Sequence, residues 1–96
     1  MSGRLEEAKE LAHLLSMLAN ENRLLLLCAL LDGPCTVSEL ANEVSISLPA
    51  ISQHLHRLRE AGLIASEKEG QFVRYSLRDE RLRTVMDVLR QEYCTQ

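Results

Sequence analysis

Between Thr36 and Leu63 the sequence TVSELANEVSISLPAISQHLHRLREAGL sets two short helices almost end to end, each with its own start signal. Thr36 followed by Glu39 forms a capping box, in which the hydroxyl takes a first-turn N–H and the carboxylate reaches back. Val37, Leu40, Ala41 and Val44 follow as a short apolar stripe at helical spacing. Ser45-Ile46-Ser47 interrupts the helix, with Ile46 available to fill the gap between the two segments. Ser47 then suits an N-cap, and Pro49 falls in the first turn, where its missing N–H does no harm. Ile51, Leu55 and Leu58 continue the stripe until Ala61-Gly62, where Gly62 is expected to be a left-handed cap.

The opposite face of the second helix decides what such a pair is for. At 100° per residue Gln53, His56 and Glu60 point away from the apolar stripe, flanked by Ser52, Arg57 and Arg59. Hydrogen-bonding side chains with two arginines suit a helix lying in a DNA major groove. The same composition also suits a solvated face, and helix-turn-helix pairs occur as plain packing units.

The next segment narrows the choice. Leu63 to Glu67, a Lys68-Glu69-Gly70 turn and Gln71 to Leu77 read as a β-hairpin in which Phe72, Arg74 and Ser76 alternate with Val73, Tyr75 and Leu77. A helix-turn-helix followed directly by a hairpin is a winged helix-turn-helix, and Lys68 and Arg74 in its wing could reach phosphates beside the groove. The expected fold is mainly α with a β-hairpin wing: four helices, two strands and a last helix.

Residues 18–77, and more loosely the whole chain, resemble the ArsR/SmtB family of small dimeric winged-helix repressors. The likeness rests on LANENRLLLLCALL, TVSELANEV, AISQHLHRLREAGLI and EGQFVRYSL. The chain departs from the family at Leu48-Pro49, where polar residues are usual, and this weakens the expectation of base contacts from the start of the second helix. The expected DNA contacts are Ser52, Gln53, His56 and Arg57, with Lys68 and Arg74 from the wing. His54, at the edge of the apolar stripe, is expected to pack or bind phosphate rather than read bases.

Ninety-six residues make one domain, 1–96, that buries only about 60–65% of its unfolded surface when alone, so a dimer would help. The helix-turn-helix occupies 36–62, the wing 63–77, and helices at about 4–18 and 79–93 are the expected dimerisation pair. The net charge of −3 is uneven: residues 1–47 hold 7 acids and 3 bases, residues 48–96 hold 7 acids and 8 bases. That distribution permits modest, salt-sensitive DNA binding without requiring it. The chain has no apolar run of about 18 residues and no signal-peptide pattern, and its three cysteines are odd in number and far apart. The expectation is a cytoplasmic protein.

The first helix carries Leu5, Ala8, Leu11, Ala12, Leu15 and Leu18 on one side, with His13 off the stripe as a surface residue. Asn20 can cap a second helix, Glu21 to Leu31, whose Leu24–Leu27 run marks it as central and buried. The last helix presents Leu82, Val85, Met86, Leu89 and Tyr93 as one stripe, which needs either its own core or a symmetry mate. The resemblance assigns it, with the first helix, to a two-fold interface that sets two recognition helices roughly 34 Å apart.

Cys28 and Cys94 read by themselves as a small buried hydrophobe and an idle terminal thiol. Within the family, a cysteine in LLLLC and another in a final YC resemble the dithiol persulfide and polysulfide sensors. There the two thiols of one subunit join through a disulfide or sulfur bridge and operator DNA is released. By that resemblance Cys28 and Cys94 are the redox-sensing pair, reactive sulfur is the inducer and no cofactor is needed. Arg90, one turn before Cys94, could favour its thiolate, against the helix C-terminus.

Metal or metalloid sensing is the alternative, since many relatives do that. Zinc or cadmium normally needs four close ligands and arsenite three thiolates. Here only Cys35 stands near the start of the third helix, and it reads as an exposed bystander. Asp79 survives from the family's other site, but Arg81 and Glu92 stand where histidines are expected, so no metal site is assigned. No catalytic set can be assembled from four glycines and three scattered histidines, so the chain is not expected to be an enzyme. A winged-helix interaction module without DNA binding remains the other alternative.

Overall fold

The computed structural model describes residues 2–94. Its elements run α1 (Ser2–Leu18), α2 (Glu21–Leu31), β1 (Cys35–Thr36), α3 (Val37–Ala41), α4 (Leu48–Glu60), β2 (Ile64–Glu69), β3 (Phe72–Leu77) and α5 (Glu80–Tyr93). The joints are set by local chemistry. Asn20 Oδ1 accepts the backbone N–H groups of Asn22 and Arg23 at 3.0 Å each, satisfying two free donors where α2 begins. At the start of α3 the Glu39 N–H donates to Thr36 Oγ1 at 3.2 Å while the Thr36 N–H donates to Glu39 Oε1 at 2.8 Å. The capping box is therefore complete. Ser47 caps α4, and α4 ends with Gly62 at φ +78°, where Leu63 N–H reaches Leu58 O at 3.0 Å and Gly62 N–H reaches Arg59 O at 2.9 Å. Only glycine takes that backbone angle freely.

The sheet is three-stranded and antiparallel, in the order β1-β3-β2. The hairpin turn is tighter than the sequence implies, two residues instead of three. β2 runs to Glu69, opposite Phe72, and the turn falls at Gly70-Gln71, with Gly70 at φ +60°. The short strand β1 was not expected: Cys35 pairs with Tyr75 and Thr36 with Arg74. Two residues carry no periodicity, so only the long-range pairing reveals them.

The core joins Leu26, Leu27 and Leu30 of α2 to Leu40, to Ile51, Leu55 and Leu58 of α4, and to Ile64, Leu82 and Met86. Ile46 packs against this cluster from between α3 and α4, as the interrupted stripe predicts. Val44 also packs there, but from beyond α3, which stops at Ala41. Two stripes divide differently from expectation. In α1 the buried side is Met17 and Leu18, while Leu5, Leu11 and Leu15 are each more than half exposed. In α5 Leu82 and Met86 enter the core, while Val85, Val88, Leu89 and Tyr93 face outward. Leu25 of α2 is likewise exposed, so that helix is not buried all round. Among the described residues no single helix is long and apolar enough to cross a membrane; α1 and α2 reach that length only jointly, across a 92° bend.

Candidate DNA-binding face and thiol pair

Burial of Ile51, Leu55 and Leu58 turns Ser52, Gln53, His56, Arg57, Arg59 and Glu60 outward from α4. Among the described residues the side chains of Ser52, Gln53 and Arg57 make no hydrogen bond or ion pair within the chain. His56 Nε2 lies 3.7 Å from Glu60 Oε1 one turn on, and Arg59 Nη1 donates to Ser66 Oγ at 3.0 Å, tying the helix to β2. Lys68 stands exposed on β2.

Arg74 is engaged elsewhere. Its Nε donates to Glu69 Oε1 at 3.2 Å, and its Nη1 lies 3.8 Å from Glu39 Oε1, the capping-box carboxylate. Pairing of Thr36 with Arg74 across β1 and β3 brings that carboxylate near. A phosphate contact from Arg74 would have to compete with two acids, whereas Lys68 faces no such competition among the described residues.

His54 is half-buried and turns inward. Its Nδ1 lies 3.4 Å from Arg23 Nη1, and its pKa is lowered by burial and by the charges of Arg23 and Arg57. The neutral ring can accept a hydrogen bond from Arg23. Arg23 is the single charged residue buried among those described. Its Nε donates to Met17 O at 2.7 Å and its Nη2 to Ser16 O at 3.2 Å. One guanidinium thus satisfies the carbonyls that end α1 and touches α4. No local pattern assigns Arg23 this role; the one signal in the sequence is an arginine directly before an otherwise apolar helical run.

The thiols are distributed over three elements. Cys28 in α2 is half-buried, and Cys94 is exposed as the C-cap of α5, with its N–H on Arg90 O at 2.9 Å. Burial raises the pKa of Cys28; Arg90 opposes that rise, and the charges of Cys94 and Asp32 add to it. Cys94 thus belongs to the electrostatic surroundings of Cys28, although 66 positions separate them in the chain. Two arginines of α5 bring this about. Arg83 Nη1 donates to Leu31 O at 2.9 Å, and Arg90 Nη1 lies 3.8 Å from Asp32 Oδ1. Both engage the C-terminal end of α2, where a cation is favoured. Arg90 also opposes the rise at Cys28, an effect that its place one turn before Cys94 does not imply.

Cys35 is not an exposed bystander. It is half-buried in β1, 3.4 Å from Gly33 O and 3.9 Å from Ala29 O. Burial, then Glu39 and Glu43, raise its pKa, which keeps it a poor nucleophile.

Comparison with known proteins places this geometry in a family. Residues 20–66, from the cap of α2 into β2, match the profile described as bacterial regulatory protein, arsR family. The transcriptional activator HlyU of Vibrio cholerae is 42% identical over 81 residues, which cover 84% of this chain and 75% of HlyU. The chain belongs to the ArsR family. Reduced HlyU from the same organism superposes with a TM-score of 0.91 at 36% identity, over 99% of this chain and 100% of HlyU. The transcriptional repressor BigR of Xylella fastidiosa superposes with a TM-score of 0.87 at 31% identity, over 100% of this chain and 99% of BigR. These relatives are regulators rather than enzymes, and this ArsR-family chain is a winged-helix transcriptional regulator of the DNA-binding type.

The family's acid at the start of the last helix is already occupied. Arg81 Nη2 lies 3.0 Å from Asp79 Oδ2 and Arg81 Nε donates to Asp79 Oδ1 at 3.2 Å, so a guanidinium holds the carboxylate that a metal would need. That pairing pulls the Asp79 pKa below its ordinary value. Among the described residues no three His, Cys, Asp or Glu side chains gather as a metal-holding group.

Proposed function

We propose that this ArsR-family chain is a homodimeric repressor that binds operator DNA through α4 and Lys68 and lets go when Cys28 and Cys94 of one subunit become joined. The observation that carries the reading is a half-buried thiol in α2 and an exposed thiol at the end of α5, on two helices tied together by Arg83 on Leu31 O at 2.9 Å and by Arg90 3.8 Å from Asp32 Oδ1. The likeness to HlyU, whose structure is distinguished as reduced, supports it.

The chemistry balances with a polysulfide as oxidant. The accessible Cys94 thiolate attacks a sulfur of the polysulfide, breaking an S–S bond; a persulfide forms on Cys94 and a shortened sulfide leaves. Cys28 then loses its proton to water, and its thiolate attacks Cys94 Sγ. Hydrosulfide departs and a disulfide remains, two thiols having been oxidised and one polysulfide S–S bond reduced. A longer chain left on Cys94 gives a sulfur-bridged link by the same expulsion, spanning a wider gap by about 2 Å per added S–S bond. The tether joins α5 to α2, and through α2 to Arg23 and α4, which gives the dimer a second arrangement in which α4 no longer meets the groove.

The intact mass of the reduced protein after polysulfide treatment, taken without reductant and followed by peptide mapping, tests this. A Cys28–Cys94 link within one chain, with or without extra sulfur and with Cys35 unmodified, is expected. Unmodified thiols, or a product confined to Cys35, would contradict the dithiol mechanism.

Dimerisation is supported by the apolar side chains that α1 and α5 leave exposed, including Leu11, Leu15, Val85 and Val88. Isolated apolar residues need no partner, but helices that each expose an apolar stripe do. Leu11→Glu with Val88→Glu is expected to shift the protein to a monomer in sedimentation and to lower DNA affinity at least tenfold. A dimer that survives both charges would place the interface elsewhere.

A further inference from the structure

The first turn of α4 offers hydrocarbon rather than hydrogen-bonding groups. Leu48 is 59% exposed, lies outside the core cluster and sits beside an exposed Pro49. Helix starts ordinarily hold phosphates with free N–H groups. Here those donors are nearly used up. Pro49 has none, Ala50 N–H donates to Ser47 Oγ at 3.3 Å, and Ile51 N–H donates to Ser47 O at 3.0 Å. The same caps fix the backbone of the turn that presents Leu48. One turn further on, Ser52 and Gln53 are exposed and unengaged among the described residues.

The N-terminal residues of a groove-entering helix are the ones that meet base edges. The one hydrocarbon group on those edges is the C5-methyl of thymine. We propose that Leu48 is a specificity-determining residue that packs on a thymine methyl group, so that each half-site carries a T·A pair where the start of α4 lands. The proposal rests on α4 being the groove-entering helix. A cytosine there would leave its N4 amino group covered by leucine with no acceptor, which adds a penalty to the lost attraction. Gln53, with an amide able to pair with adenine N6 and N7, favours an A·T pair nearby. The departure at Leu48-Pro49 thus changes what is read at this position rather than removing the contact.

A randomised duplex pool enriched on the reduced protein supplies the probe. In the recovered sites each thymine is replaced by deoxyuridine, which removes only the methyl group, and affinity is read by fluorescence anisotropy. Replacement at one thymine per half-site is expected to weaken binding about 3–5-fold per half-site, the worth of one buried methyl. 5-Methylcytosine at that position is expected to bind better than cytosine. Leu48→Ala, a surface substitution, is expected to bind thymine and uracil duplexes equally. Indifference of the wild-type protein to every deoxyuridine, or unchanged discrimination in Leu48→Ala, overturns the proposal. Failure to enrich any duplex overturns the groove-entering role of α4 itself.

Discussion

Replacing Gln53 and Arg57 together by alanine is expected to lower DNA affinity by at least a hundredfold while leaving the protein folded and dimeric. A bidentate side-chain contact to a base is worth about 1–3 kcal/mol, and losing one phosphate contact also reduces the salt slope by about 0.9. Both side chains are exposed and make no bond within the chain among the described residues, so their removal costs the fold little. Anisotropy titrations at two salt concentrations, with circular dichroism and sedimentation on the same samples, read all three properties. Retained binding by the double variant would remove α4 from the groove and favour the interaction-module alternative.

The second large effect concerns Arg23. Arg23→Met keeps most of the side-chain volume but removes the donor to Met17 O, Ser16 O and His54 Nδ1. Leaving such acceptors buried and unpaired is expected to cost about 2–4 kcal/mol, lowering Tm by about 10 °C or more at fixed protein concentration. An unchanged Tm would mean that these bonds contribute nothing net. The same cluster has a pH signature. Burial, Arg23 and Arg57 hold the His54 pKa below its ordinary value, so on acidification the unfolded chain takes up a proton first. The stabilising contribution of neutral His54 is therefore complete above about pH 6.5 and declines as the pH falls from there toward the folded pKa. Denaturation at pH 7.5 and 5.5 is expected to show a larger loss for the wild type than for His54→Gln; equal losses would contradict the Arg23–His54 arrangement.

What the sequence revealed and what it hid divide along chain separation. Asn20, Thr36 with Glu39, Ser47 and Gly62 act on backbone groups within a few residues, so these helix starts and stops are legible from local chemistry. The outward face of α4 is legible for the same reason, because the buried Ile51-Leu55-Leu58 stripe defines its opposite. The strand β1, by contrast, exists only through its pairing with β3, and with it went the half-burial of Cys35 and the engagement of Arg74 by Glu39. Arg83 reaches Leu31 O across 52 positions, a contact no periodicity predicts, and it is one of the bonds that tie α5 to the end of α2. The stripes of α1 and α5 were visible as apolar, but which side enters the core depends on how the helices pack. The thiol pair was reached only through family resemblance, since nothing between positions 28 and 94 implies that they meet.

Joining Cys28 to Cys94 is expected to release DNA. The most direct test is anisotropy of a labelled duplex, recovered from the enriched pool and bound by reduced protein, followed through polysulfide addition and then reductant. Wild-type protein is expected to release the duplex on polysulfide and rebind it on reduction, while Cys28→Ser and Cys94→Ser stay bound throughout. Release that persists in either serine variant, or linked wild-type protein that holds DNA as tightly as the reduced form, would contradict the account.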